Sequence, residues 1–264
     1  MENKTLNIVT KILVCICISF FTISCFYEQY AYGEEGNKES GKIAIVIDDF
    51  GYEGEGTNDM LDLKIPITAA IIPFTEHSSY EAKLAAAKGK EVIIHMPMEP
   101  DKGKASWLGK KPLMTGLSNE EVDKRVREAI EEIPEAKGMN NHMGSKVMRD
   151  DKILMPVFKV LKEKEMFFLD SKTTMNSKGE ALCKELGVPY YGRDVFLDHV
   201  HSQQNVENEL EKAADIAKEK GYAIVIGHVG GQGGKITVNG IKNKMHKLEN
   251  KGIEFVFLSQ LKSE

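Results

Sequence analysis

Asp48 and Asp49 stand side by side directly after the apolar run Ile43-Ala44-Ile45-Val46-Ile47. Two carboxylates buried together do not both prefer to be ionised, and a divalent cation removes the conflict. Four more residues able to do chemistry occupy matching places. His95 follows Val92-Ile93-Ile94, His142 follows residues 138–141, Asp170 follows 166–169, and His228 follows 223–227. Imidazole nitrogen with carboxylate oxygen is a donor set suited to Zn²⁺ or a similar metal. One polar residue after a strand says little, since strands often stop at Asp or Asn. Five such ends closed by Asp or His point to a shared site. His95, framed by Met96-Pro97-Met98, has no neighbour that explains a polar residue. His142, within Asn140-Asn141-His142-Met143-Gly144-Ser145, reads equally as a polar loop residue.

The elements that must position these residues alternate along the chain. Apolar runs at 43–47, 67–72, 92–94, 166–169, 223–226 and 255–258 read as strands covered on both faces, with weaker strands at 138–142 and 188–191. Amphipathic helices lie between them. Ser118-Asn119-Glu120-Glu121 forms a capping box ahead of Val122, Val126, Ile130 and Ile133. Ile153, Leu154, Val157, Phe158 and Leu161 share one helical face; Leu210, Ala213, Ala214 and Ala217 share another after Asn205. Val238, Ile241, Met245 and Leu248 mark the last helix, ended by Gly252. Such alternation demands parallel crossovers. Seven or eight units predict an α/β fold, a distorted (β/α) barrel, with a doubly wound open sheet as the alternative. In a barrel, the C-terminal strand ends share one rim.

The 264 residues, 42% hydrophobic and 28% charged, describe a globular chain large enough to bury a core without staples. A net charge of −5 lacks the basic excess of a nucleic-acid binder. Cys15, Cys17 and Cys25 crowd the start, which leaves Cys183 without a partner for a disulfide in the body. Lys4 and Lys11 precede an uncharged stretch at 12–27, shorter than the roughly 20 residues of a spanning helix. Residues 1–33 therefore read as a signal peptide cut after Gly33. Thr22-Ile23-Ser24-Cys25 offers the alternative of a lipoprotein signal ending before Cys25, and an uncleaved anchor is third. Each predicts an extracytoplasmic body, secreted or held at the outer face of the cytoplasmic membrane through that segment alone. Residues 34–41 read as a linker and 42–264 as one domain.

Taken together, the motifs resemble the divergent polysaccharide deacetylase family over nearly the whole body. The residues that carry this are Ile47-Asp48-Asp49-Phe50-Gly51, His95-Met96-Pro97-Met98-Glu99-Pro100, the 138–145 segment, Phe168-Leu169-Asp170-Ser171, Arg193-Asp194-Val195-Phe196-Leu197-Asp198 and Ile226-Gly227-His228. The resemblance implies a distorted (β/α) barrel of the glycoside hydrolase and deacetylase type, and a more distant relation to the main polysaccharide deacetylases. Carried over, Asp48 is the general base, Asp49 a metal ligand and His95 the first histidine of an H-x-x-x-H motif. Position 99 is Glu, so the second histidine must come from elsewhere; His142 is chosen, with Glu99 as the alternative ligand. His228 resembles the late histidine that acts as general acid, and Asp170 is expected to orient it or to touch the metal. The family's arginine-proline-tyrosine motif is absent.

The implied activity is metal-dependent removal of acetyl groups from a carbohydrate polymer of the cell envelope, an acetylated glycan or peptidoglycan-like polymer, with zinc as the expected ion. The absent second motif histidine keeps open a catalytically inactive relative that binds glycan or an envelope protein. Glycosidic hydrolysis needs two separated carboxylates, which adjacent Asp48 and Asp49 do not supply. His199 and His201 alternate at strand period but read as an exposed polar loop. His77 and His246 read as solvated. Gly230-Gly231-Gln232-Gly233-Gly234 lacks the lysine–hydroxyl pair of a phosphate loop and reads as a flexible rim loop. Trp107, the only tryptophan, is either a sugar-stacking residue or a packing anchor.

Overall fold

The computed structural model describes residues 40–263. The predicted signal peptide and nearly all of the predicted linker lie outside the described residues. Nine strands form one sheet in which every pairing is parallel: β1 (Gly41–Phe50), β2 (Thr68–Ile71), β3 (Glu91–Met98), β4 (Ala136–Met143), β5 (Phe167–Asp170), β6 (Tyr190–Gly192), β7 (Val195–Phe196), β8 (Tyr222–His228) and β9 (Ile253–Val256). Their order is β6-β5-β4-β3-β2-β1-β8-β7, and β9 pairs with β1 as well. The helices are α1 (Thr57–Leu61), α2 (Ser78–Ala87), α3 (Asn119–Glu132), α4 (Asp151–Glu163), α5 (Gly179–Leu186), α6 (Gln203–Lys220) and α7 (Gly234–Asn250).

This is the predicted (β/α) barrel, incomplete in one place. β6 and β7 share no ladder, but the two residues between them span the gap. Arg193 N donates to Asp170 O on β5, and Asp194 N donates to Ile224 O on β8. The eight expected strands are all present; β7 is the ninth, too short to leave a periodic signal. Ser118 caps α3 as expected, accepting from Glu121 N at 3.2 Å. The helix expected after Asn205 begins earlier, at Gln203, because Ser202 caps it by accepting from Asn205 N at 3.1 Å.

Strand alternation divides the apolar residues into two cores. Ile43, Ile45, Ile47, Ile94, Phe168 and Val225 face the helices. Ala44, Val46, Ile93, Leu169, Tyr191, Ile224 and Ile226 fill the barrel. The inner set joins residues from both ends of the sheet, so the interior is packed rather than open. Because both faces are apolar, the strands read as unbroken hydrophobic runs.

Candidate active site

Inward parity carries the chemistry to the rim. Asp48 follows Ala44 and Val46 on the inner face of β1, His95 follows Ile93 on β3, and His228 follows Ile224 and Ile226 on β8. Asp48 and His228 are direct partners across β1–β8, as are His95 and Asn140 across β3–β4. Asp49 should by alternation point outward. Instead its φ of 67° lies in the left-handed region, and the β1–β2 register shifts between Ile47 and Phe50. This backbone reversal, which Asp tolerates better than most residues, turns the second carboxylate to the same side as the first.

Three acceptors then converge. Asp49 Oδ1 lies 3.2 Å from His142 Nδ1 and 3.4 Å from His95 Nε2, and the two imidazole nitrogens are 3.0 Å apart. Their outer nitrogens show which tautomer each ring holds. His95 Nδ1 meets Asn140 Oδ1 at 2.8 Å, while Asn140 Nδ2 donates to Asp48 Oδ1 at 2.9 Å. A carboxylate only accepts, so the amide oxygen faces His95, Nδ1 carries the proton, and Nε2 presents its lone pair. His142 Nε2 lies 3.3 Å from the Trp107 carbonyl oxygen, which leaves the Nδ1 lone pair facing inward. Asp49 Oδ1 is buried without a hydrogen bond. Three lone pairs with no proton among them fit a cation. Bonds of about 2.0–2.1 Å at tetrahedral angles place donors about 3.3 Å apart, the spacing found here.

The surrounding field agrees. Burial pushes the Asp48 carboxyl above its ordinary pKa, against the opposing charges of His95 and His228. Burial also acts to raise Asp49, but His142 and His95, when protonated, donate to it and outweigh burial, holding this carboxyl well below the usual range; a cation among the three atoms takes the place of those protons. The paired carboxylates are therefore driven apart, with Asp49 anionic and Asp48 the more basic. Burial lowers His228, yet the hydrogen bond and charge of Asp198, helped by Asp48 and Asp49, push it up to about 9.

Of the residues expected at the rim, Asp48, Asp49, His95, His142 and His228 come together, and Asp170 does not. Asp170 shares the outward parity of Phe168. Its carboxylate accepts from Lys172 N at 2.7 Å, Ser177 Oγ at 2.5 Å and Tyr190 Oη at 3.3 Å. It anchors the β5–α5 connection; orienting His228 falls to Asp198. Asp198 Oδ1 pairs with His228 Nδ1 at 2.9 Å, and Oδ2 accepts from His228 N and Thr237 Oγ1, both at 2.7 Å. Glu99 also stands outside the cluster, bound to Thr115 N at 2.8 Å, Thr115 Oγ1 at 2.6 Å and Lys146 Nζ at 2.7 Å. His199 and His201 are exposed and bind the carbonyls of Phe196 and Gln232. Two contributors lacked an assigned role in the sequence reading, Asn140 and Asp198. The first was signalled by its period-two spacing from His142; the second follows a two-residue strand and had no periodic signal.

The parallel barrel thus carries at one rim an Asp-His-His cluster that could hold a metal ion, a buried carboxylate and an Asp-held histidine. The family model for divergent polysaccharide deacetylase matches residues 45–262, and the chain belongs to that family. It is similar to the uncharacterized protein YibQ of Escherichia coli (strain K12), 35% identical over 189 residues, which are 72% of this chain and 59% of that protein. An uncharacterized protein of Haemophilus influenzae is 34% identical over 223 residues, 84% of this chain and 76% of that protein. The chain thus spans about three fifths to three quarters of these relatives. Among solved structures, protein ATU2773 of Agrobacterium tumefaciens C58 superposes with a TM-score of 0.77 at 21% identity, covering 83% of this chain and 88% of that one. The Bc1960 peptidoglycan N-acetylglucosamine deacetylase gives 0.56 at 15% identity, covering 86% and 89%. These likenesses establish the shared fold.

Proposed function

We propose that the chain is a metal-dependent hydrolase that removes acetyl groups from a carbohydrate polymer of the cell envelope. The observation that carries this reading is the convergence of three unprotonated acceptors, Asp49 Oδ1, His95 Nε2 and His142 Nδ1, between a basic buried carboxylate and a protonated histidine. A divalent ion, zinc by its donor set, supplies Lewis acidity that polarises the acetyl carbonyl and acidifies water. Asp48, buried and held by Asn140, takes the proton of the attacking water. His228, kept protonated and oriented by Asp198, delivers a proton to the departing amine or alcohol. Asn140 links the two halves of the site, since its amide touches both His95 and Asp48. An extracytoplasmic address, secreted or anchored by the N-terminal segment, suits a substrate in the envelope. The inactive-binder alternative drew on the Glu at position 99. With His142 Nδ1 facing Asp49 and His95, the site has a second histidine and that reason weakens.

The test joins metal content to acetate release. The purified chain is expected to hold about one equivalent of zinc or a similar ion, as a single three-ligand site requires, and His95→Ala and His142→Ala to hold none. Acetate is expected from acetylated chito-oligosaccharides or peptidoglycan fragments, and only from metal-loaded protein. Failure to retain metal after zinc or nickel addition overturns the reading; metal without acetate release favours the binder.

A further inference from the structure

The end of the barrel opposite the rim carries a cavity of about 420 Å³ that the deacetylase chemistry does not use. It opens between the α1–β2 connection, residues 62–67, and the α2–β3 connection, residues 88–90, with Phe257 beside them. Both connections lead into the N-terminal ends of their strands, so the cavity and the Asp-His-His cluster lie at opposite ends of the sheet. Leu63 and Ile65, both buried, give it apolar lining next to Phe257. Its volume falls in the range of small-molecule sites, roughly 300–1,000 Å³.

The charged part of the lining is nearly all of one sign. Lys64, Lys88 and Lys90 share it with a single carboxylate, Asp62, and Lys88 takes that carboxylate in a direct ion pair. The Lys88 ammonium holds Asp62 below the usual carboxylate range, and the charges of Lys64 and of Lys242 on α7 act in the same sense. Among the described residues, Lys64, Lys90 and Lys242 have no carboxylate at ion-pair distance. Lys90 is half-buried, and two of its three N–H groups are spent on the carbonyls of Leu63 at 2.5 Å and Ile65 at 2.9 Å. Burial, then the neighbouring charge of Lys64, pushes its ammonium below the ordinary lysine range. The carbonyl bonds explain where the Lys90 amine stands, but they leave its charge uncancelled and give Lys64 and Lys242 no role. Like charges gathered at a partly apolar concavity repel one another, and an anion that enters relieves that repulsion. In a chain of net charge −5, composition alone does not produce such a local excess.

We propose that this cavity binds a phosphate monoester, with the phosphate between Lys64 and Lys90 and the organic body against Leu63, Ile65 and Phe257. A monoester carries about −1.5 to −2 at neutral pH, which answers several unpaired ammonium groups better than one carboxylate does. Lysine meets phosphate as a point charge and needs no bidentate geometry. The site goes beyond the deacetylase reading and stands without it. A lipid headgroup and a free ester share this phosphate chemistry, and the experiment separates them.

Phenyl phosphate, inorganic phosphate and benzoate are titrated calorimetrically into the zinc-loaded full chain. Phosphatidylcholine vesicles with and without phosphatidic acid, whose headgroup is a monoester, are tested by cosedimentation. Phenyl phosphate is expected to bind about tenfold more tightly than inorganic phosphate, the gain that partial burial of a ring allows. It is expected to exceed benzoate, the same ring with one charge, by about fivefold or more. Lys90→Gln also removes the carbonyl bonds, so Lys64→Gln, at an exposed position, is the deciding variant. It is expected to weaken phenyl phosphate about five- to tenfold, as loss of one partly exposed charge pair permits, and Lys64→Glu to weaken it further. Lys159→Gln, an exposed lysine on α4, is expected to change nothing. Phosphate also coordinates zinc, so the titrations are repeated on His142→Ala, where binding is expected to persist. Vesicle capture that requires phosphatidic acid and is lost in Lys64→Glu identifies a lipid source. Phenyl phosphate bound without vesicle capture identifies a free ester, and either result upholds the site. Four results overturn it: no binding of ester or vesicle, binding indifferent to Lys64→Glu, benzoate or inorganic phosphate matching phenyl phosphate, or binding lost in His142→Ala.

Discussion

The barrel buries a carboxylate at each end, and the two are treated in opposite ways. At the bottom, Glu91 begins β3, 3% exposed, and its oxygens are fully used. Oε1 accepts from Thr68 Oγ1 at 2.9 Å and Ser259 N at 3.2 Å, and Oε2 accepts from Ser259 Oγ. These bonds dock the C-terminal turn, whose Leu258 and Leu261 close the inner core. At the rim, Asp49 Oδ1 is buried with no hydrogen bond and faces two imidazole lone pairs. A buried carboxylate that is satisfied serves the fold. One left unsatisfied among other acceptors stores a cost that a ligand must relieve.

The sharpest way to break this contrast is to delete the rim acceptors. Asp49→Ala and His142→Ala are expected to abolish metal retention and reduce acetate release by at least about 10³-fold, on the scale of losing a catalytic group. In the metal-free protein, Asp49→Ala is expected to shift the melting temperature far less than a core deletion does, since the change removes an exchange of charge with two imidazoles and no apolar packing. A cooperative loss of stability equal to that of a core mutation would show that Asp49 is structural. Metal content by elemental analysis and thermal melts decide it.

Asp198→Asn comes next. His228 must hold a proton to act as an acid. Its pKa is pushed up to about 9, so the active form persists below that pH and is lost as pH rises through it. Removing the Asp198 charge lowers the His228 pKa, and the alkaline limb of the pH–rate profile moves to lower pH. The rate is expected to fall about 10–100-fold, as for other lost orienting partners. A profile displaced upward, or not at all, would deny Asp198 this role.

At the other end, Glu91→Ala is expected to spare the chemistry and weaken the fold. Losing the hydrogen bonds of a charged group costs about 3 kcal/mol, on the order of 10 °C in melting temperature for a domain of this size. Metal content should stay that of the native protein. Loss of metal in this variant would erase the distinction between the two ends.

How much of this was legible follows from parity. The strands were legible as apolar runs, because a sheet covered on both faces leaves no polar gaps. That same property hid which residues face inward. Asp170 looked equivalent to His228, since each closes a strand, but it shares the face of Phe168 and therefore points to the helices. Asn140 was open to reading, two positions before His142 on the same face. Asp198 was not, because β7 has two residues and no alternation. Nor does any pattern announce the reversal at Asp49, without which adjacent carboxylates would face opposite sides of the sheet.

That reversal needs support, and Glu81 on α2 supplies it. Its carboxylate accepts from Gly51 N at 2.8 Å and Glu53 N at 2.5 Å, while Thr75 Oγ1 donates to the Gly51 carbonyl. Both donors lie just past Asp49, so the backbone is clamped where it leaves the strand. Burial raises the Glu81 pKa, and the hydrogen bonds from these amides oppose that shift. In Glu81→Gln one oxygen becomes an amide that confronts a backbone N–H. The expected cost is about 1 kcal/mol of stability, together with metal affinity about three- to tenfold weaker, the low end for a residue acting through another. Zinc titration against a competing chelator measures the second effect. Weaker affinity with unchanged kcat at saturating zinc places Glu81 behind the metal site; unchanged affinity with the same loss of stability would make it a loop anchor and nothing more.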